Sequence, residues 1–290
     1  MVIPNLRELY SKAFEGWVKD NATRLSAALA FYAMLSLSPT LVLAVAISSR
    51  VLGSSHEGMH VVHLAEGYLG KSGSAFLETL IQTSARPGTS IIASLLSLGV
   101  AMFGASNLFA QLNESVNSIW NANPWSPGIK GFVVSKAVSI LMFIAFAMLF
   151  VTWLALDSWV GWIEAHTPGF QGWAMVSFVV SLLFLTLVFA AAFRAIPHGM
   201  VAWGDVWIGA ITTAFGFAVS KFLLSLYFSY STVSAAYGSA GALVIILLWI
   251  YYSAQIFFFG IEITCAYAHM HGSQAHRHKG EPPIPVPQNT

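Results

Sequence analysis

The sequence predicts an all-α fold, a polytopic transmembrane helix bundle of six spans, and three observations predict it. Charge is scarce: only 9% of residues are Asp, Glu, Lys or Arg, 57% are hydrophobic, and the mean hydropathy is +0.70. A soluble domain carries roughly 25% charged residues, so much of this outer surface must meet an apolar medium. The uncharged runs are long. Leu25–Ser49, Pro87–Asn113, Ala137–Leu156 and Ala165–Phe193 hold no charge, and Val206–Ile261 holds only Lys221. About 20 apolar residues suffice for a helix to cross the hydrocarbon core. Finally, Trp120, Trp125, Trp159, Trp162, Trp173, Trp203, Trp207, Tyr227 and Tyr230 gather near the ends of these runs, as an interfacial belt does.

The elements follow in order. Residues 1–24 carry Arg7, Glu8, Lys12, Glu15, Lys19, Asp20 and Arg24 with no apolar stretch, unlike a cleavable signal peptide. Within them, Leu6, Leu9, Tyr10, Ala13, Phe14 and Trp17 recur at helical spacing, which predicts an amphipathic helix over 5–20 lying on the membrane surface. The transmembrane domain is expected over 25–268, with spans at 26–50, 90–112, 132–156, 174–196, 205–229 and 240–266 and a helical outer loop at 52–88. Pro39 falls inside the first span and is expected to kink or break it. The segment from Tyr230 to Gly241 is rich in small and turn-forming residues and reads as a tight turn between spans five and six. Residues 269–290 are polar, with Pro282-Pro-Ile-Pro-Val-Pro287, and read as a disordered tail.

Orientation follows from Lys and Arg. With the N-terminus inside, the inner side holds Arg7, Lys12, Lys19, Arg24, Lys130, Lys136, Arg194, Arg277 and Lys279, against Arg50, Lys71 and Arg86 outside. That asymmetry places both termini in the cytoplasm.

Ionisable groups within spans are costly and usually face the bundle interior with partners. The candidates are Lys221, Glu262, Arg194, Asp205 and Asp157, with the amides Asn107, Gln111 and Asn113 beside them and Tyr237 in the turn. At about 1.5 Å per residue, Lys221 reaches the depth of Asp157 in the outer leaflet, and Glu262 the depth of Arg194 near the inner surface. Two readings stand: ties between helices, or the lining of a polar substrate pathway. Asn107, Gln111 and Glu114 share one helix face and Asn113 and Asn117 a neighbouring one, either as a helix-end hydrogen-bond network or as the cytoplasmic mouth of a pathway.

His56-Glu57-Gly58-Met59-His60 matches the H-E-x-x-H pattern of zinc proteases, and His63 follows at a helical spacing. Gly58 weakens the helix such a site needs, and the loop is short for a substrate cleft, so a polar outer-surface helix is the preferred reading. His269, His271, His276 and His278 read as part of a solvated tail. The single cysteine, Cys265, excludes an internal disulfide.

Several stretches resemble the YihY/BrkB family of bacterial inner-membrane proteins. They are Leu29-Ala-Phe-Tyr-Ala-Met-Leu-Ser-Leu-Ser-Pro39, Leu112-Asn-Glu-Ser-Val-Asn-Ser-Ile-Trp120, and a series from Ile196-Pro197 through Trp203-Gly-Asp205, Gly209-Ala210, Phe222, Tyr227, Tyr237-Gly238 and Leu248-Trp-Ile-Tyr251 to Gly260-Ile-Glu262. The resemblance covers roughly residues 24–265 and implies a six-span inner-membrane protein. The family usually has Ala where this chain has Ile261.

No nucleophile signature, phosphate loop or dinucleotide fingerprint occurs, so no cofactor is expected. A net charge of +1 offers no basic footprint for nucleic acid, and the inner loops are too short to build a ribonuclease site. The leading expectation is a transporter or export channel, with the bilayer and an amphiphilic or lipid molecule as partners. The alternatives are a non-transporting structural or assembly factor of the cell envelope, and an outer-face metal-binding protein or metalloprotease.

Overall fold

A computed structural model describes residues 5–51, 106–122, 172–197, 201–230 and 241–273 and scattered positions between 134 and 167. Among the described residues every regular element is helical. They are α1 (Leu6–Lys19), α2 (Ala22–Val51), α3 (106–119), α4 (Trp173–Ala195), α5 (Trp203–Tyr230) and α6 (Gly241–Met270). The described positions from 134 to 166 that have a regular conformation are helical too. Two stretches among the described residues, Met175–Ala195 and Ile246–Met270, are apolar over a length that can cross a membrane.

α2 runs unbroken through Pro39, so of the two effects expected of that proline a break does not occur. The loop at 52–88, the turn around Tyr237 and most of the tail lie outside the described residues.

Two asparagines shape the ends of helices. Asn21 (φ 51°) separates α1 from α2, and Asn121 (φ 47°) closes α3. At the second, Ala122 N–H donates to Asn117 O at 3.0 Å and Asn121 N–H to Ser118 O at 3.1 Å, a left-handed cap that satisfies carbonyls otherwise left open. Asparagine tolerates this conformation better than most residues that carry a Cβ.

The core lies where α4, α5 and α6 meet. The tilted rings of Phe189 and Phe217 lie 5.1 Å apart, and Phe193 meets Phe257 edge-on at 5.3 Å, while Phe258 is fully buried. Burying such a ring contributes on the order of 1.5–3 kcal/mol. Buried hydroxyls bond their own helix: Thr186 donates to Leu182 O, Thr213 to Gly209 O, and Thr264 to Gly260 O, each within 2.9 Å. That habit suits a medium with no water to supply partners.

The outer faces are apolar. α4 exposes Met175, Phe178, Val179, Leu183 and Leu187, and α5 exposes Ile211, Phe215, Val219, Phe222 and Leu223. Each set recurs every three or four residues, so each helix carries one continuous apolar stripe outward. A stripe of that length in contact with water would be an aggregation surface; in a bilayer it is a solvated one.

α1 departs from a helix simply lying on a surface. Its Leu9 and Ala13 are fully buried against Ile263 and Tyr267 of α6, and Tyr10 Oη pairs with Thr212 Oγ1 of α5 at 2.8 Å. Leu6, Phe14 and Val18 remain exposed. The amphipathic pattern therefore has two apolar faces, one docked on the bundle and one free.

Candidate functional site

The buried polar groups Glu262, Asp205 and Asn117 belong to the later part of α6, the start of α5 and the end of α3. Glu262 lies on α6 one turn beyond Phe259, and it is 4% exposed. Its carboxyl abuts Gly16 of α1, where a Cβ would collide with it. Gly16 belongs to the docked stripe of α1, which continues Leu9, Ala13, Gly16, Asp20 at spacings of four, three and four. The last member closes the site: the Asp20 carboxyl neighbours that of Glu262, and each acts on the other. Burial pushes the Asp20 carboxyl above its ordinary range, against the opposing pull of Lys19 and of the Glu262 contact. Glu262 Oε1 is buried without a hydrogen-bond partner.

This corrects the pairing expected from depth. Arg194 does not meet Glu262. Its guanidinium carbon stands 4.7 Å from the ring centre of Trp203, a cation–π contact joining the end of α4 to the start of α5. Among the described residues the one ion pair is Lys12–Glu8, an exposed i, i+4 contact at 3.3 Å within α1.

Asp205 opens α5 and is 4% exposed. Its Oδ2 accepts from the Ser273 N–H at 3.1 Å and from Ser273 Oγ at 2.6 Å. The carboxylate thus sits at a helix N-terminus, where negative charge is favourable, and clasps the chain just beyond α6.

The amide stripe of α3 splits. Asn113 and Asn117 are buried, whereas Glu114 faces outward. Asn117 Nδ2 donates to Asn113 O at 2.8 Å and Asn113 Oδ1 at 2.9 Å, and reaches Ile196 O at 3.4 Å, so it ties α3 to the end of α4. Asn113 Nδ2 contacts Met142 Sδ at 4.0 Å, and Gln111 Nε2 donates to Ser115 Oγ at 3.1 Å. Asn107 is half-buried on α3 and engaged in contacts of its own. Beside this network Cys265 Sγ lies 4.0 Å from Ile119 O and 3.5 Å from His269 Nδ1, and Trp120 packs 6.2 Å from the His269 ring.

A groove of about 720 Å³ runs between α1, α5 and α6. Its walls include Phe14 and Trp17 of α1, Phe215 and Leu223 of α5, and Tyr252 and Phe259 of α6, with Thr212, Thr213, Ser220 and Gln255 among its polar residues. Phe14, Phe215, Leu223 and Tyr252 are exposed, so it opens at the side of the bundle.

Of the expected site residues, Glu262, Arg194, Asp205, Gln111, Asn113 and Asn107 are thus placed. Asp157, the side chain of Lys221, Tyr237, His56, His60 and His63 lie outside the described residues. No group of metal-ligating side chains occurs among the described residues. Sequence reasoning missed Asp20, Gly16 and Ser273. For the first two the signal was present, in a glycine interrupting the buried stripe of an amphipathic helix; for Ser273 there was none.

The comparisons agree with the motifs noted above. A family model described as Virulence factor BrkB matches residues 13–284. The ribonuclease-like protein YfkH of Bacillus subtilis is 27% identical over 270 residues, 89% of this chain and 93% of that protein. A UPF0761 membrane protein of Alteromonas mediterranea is 27% identical over 91% of this chain and 89% of its own. Another, of Azotobacter vinelandii, is 25% identical over 87% of this chain but only 61% of its own, so the chain spans about three fifths of that relative. No solved structure matches the chain. The family description names no reaction, and only the Bacillus relative among these three carries a ribonuclease-like name. Taken with helices whose outer faces are apolar, the match over 13–284 establishes that the chain belongs to the Virulence factor BrkB family and is an integral membrane protein.

Proposed function

We propose that this protein is a six-span protein of the bacterial inner membrane, both termini cytoplasmic, that carries an amphiphile between the leaflets or out of the cell. The observation that carries this reading is the lateral groove between α1, α5 and α6. An apolar trough of about 720 Å³ opening sideways fits the acyl chain of a lipid-like molecule far better than a hydrated solute. The polar end beside it, with Glu262, Asp20 and the Asn113–Asn117 network, would receive the headgroup. In this reading Arg194 and Asp205 hold helices together, through Trp203 and Ser273, and line no path. Lys221, Asp157 and Tyr237 would mark its outer portion.

The experiment is reconstitution of the purified protein in liposomes with a photoactivatable acyl lipid and a lipid-movement assay. Labelling concentrated on Phe14, Phe215 and Tyr252, and movement slowed by Ser220→Trp in the groove wall, is the expected result. Labelling spread evenly over the outer stripes of α4 and α5, with no lipid movement above protein-free vesicles, refutes it.

A second reading, a structural factor of the envelope that moves nothing, draws on the dense aromatic contact of Phe189, Phe193, Phe217 and Phe257. A core packed that tightly suits a scaffold as well as a carrier. Intact lipid traffic in a deletion strain, together with mislocalised envelope proteins, favours the scaffold.

A further inference from the structure

We propose that Asp20 and Glu262 form a proton-binding site, one proton shared by two carboxyls, which latches α1 to the bundle. Ionised carboxylates only accept hydrogen bonds, so two of them brought into hydrogen-bonding geometry repel unless one carries a proton. The Glu262 carboxyl abuts Gly16, one turn before Asp20 on α1, so the packing of α1 on α6 sets the Asp20 and Glu262 carboxyls beside each other, where each acts on the other. Glu262 is 4% exposed and its Oε1 has no partner. A bare carboxylate so placed would lose its hydration with nothing in return. Among the four buried polar side-chain atoms without partners in the described residues, Glu262 Oε1 alone belongs to an ionisable group.

The surroundings supply little compensating charge. The ionisable groups acting on Glu262 are Asp20 and Lys19, both from α1, and Lys19 is exposed. On its own helix Cys265 and His269 follow, and His269 Nδ1 is 2.8 Å from Cys265 O, not turned to the carboxyl. Arg194 of α4 is held over Trp203, and Asp205 of α5 is committed to Ser273. Asp20 also caps the C-terminal end of α1, where the helix dipole disfavours negative charge.

Position makes the proton consequential. Glu262 stands in the stripe of α6, between Phe259 and Ile263, that receives Leu9 and Ala13. Phe14 and Trp17, on the same helix as Asp20, wall the groove. Loss of the proton would set two negative charges against each other at the joint between α1 and α6 and loosen the helix that closes one side of the groove. The site holds a proton whether or not the groove takes an acyl chain.

The test uses the full chain in nanodiscs. Infrared difference spectra recorded on pH titration should show a protonated-carboxyl band at neutral pH in the wild type that is absent in both Glu262→Gln and Asp20→Asn. Each amide can donate to the remaining carboxylate, so both variants should keep α1 docked. Hydrogen-exchange protection of α1, corrected for intrinsic exchange, should fall at least tenfold in the wild type as rising pH removes the proton, and stay flat in Glu262→Gln. A wild type lacking the band, a band unchanged in Glu262→Gln, or equal pH dependence of α1 protection in both proteins overturns the proposal. So does a requirement for sodium or potassium ions in place of the proton.

Discussion

Gly209 of α5 and Gly260 of α6 face each other across a crossing with no room for a side chain on either. A Cβ on Gly209 would lie 2.5 Å from Gly260 O, and one on Gly260 would lie 2.9 Å from the Phe193 ring and collide with Thr213 Oγ1. The arrangement is reciprocal, since each glycine is followed four residues later by a threonine that bonds its carbonyl, Thr213 and Thr264. Small residues at this spacing let membrane helices approach backbone to backbone.

Substitution at this crossing separates two kinds of clash. Gly260→Ala should cost about 1–3 kcal/mol, and Thr213→Ala should restore part of it, because one obstacle is a side chain. Gly209→Ala should resist rescue by Thr264→Ala, because a carbonyl of the facing backbone remains. Thermal unfolding in detergent checks both; equal rescue would contradict the geometry.

Asp205→Ala should free the chain beyond α6. It leaves the N–H and Oγ of the exposed Ser273 without their acceptor, a loss of about 0.5–1.5 kcal/mol since water can replace it. Asp205→Asn keeps one acceptor and should lose less. Limited proteolysis near Ser273 reads the difference, with cleavage fastest in the alanine variant.

Asn117→Leu should weaken the joint between α3 and α4. The amide donates to Asn113 and reaches Ile196 O, and a buried carbonyl left unpaired costs about 1–3 kcal/mol. Asn117→Asp should be worse, since it sets a carboxylate against carbonyl oxygens. The melting temperatures should rank wild type, then leucine, then aspartate.

Asp20 gives a pH dependence of defined sign. Its carboxyl is raised from 3.8, so the folded state binds its proton more tightly than the unfolded chain does. The stability contributed is therefore full below the unfolded value and declines as pH rises towards the folded one. Asp20→Asn should remove this slope. Melting temperatures compared from about pH 4 upward should converge at the acid end and diverge in the variant's favour above it; parallel curves would count against a raised Asp20 carboxyl.

The residues alone carried the helical class, the long apolar segments and the membrane as solvent, because scarcity of charge over more than 20 residues admits few other solutions. They also carried the helical stripe of α1, though the close approach at Gly16 within it was read only from the fold. What they could not carry was partnership. Depth along a helix matched Glu262 with Arg194, but depth is one coordinate, and the rotation of α6 about its axis decides which neighbour its side chains meet. In the fold that rotation turns Glu262 towards α1 and Asp20, while Trp203 captures Arg194. Sequence periodicity tells which residues share a face. Only the packing of faces against one another, set here by Gly16, Gly209 and Gly260, tells what each face touches.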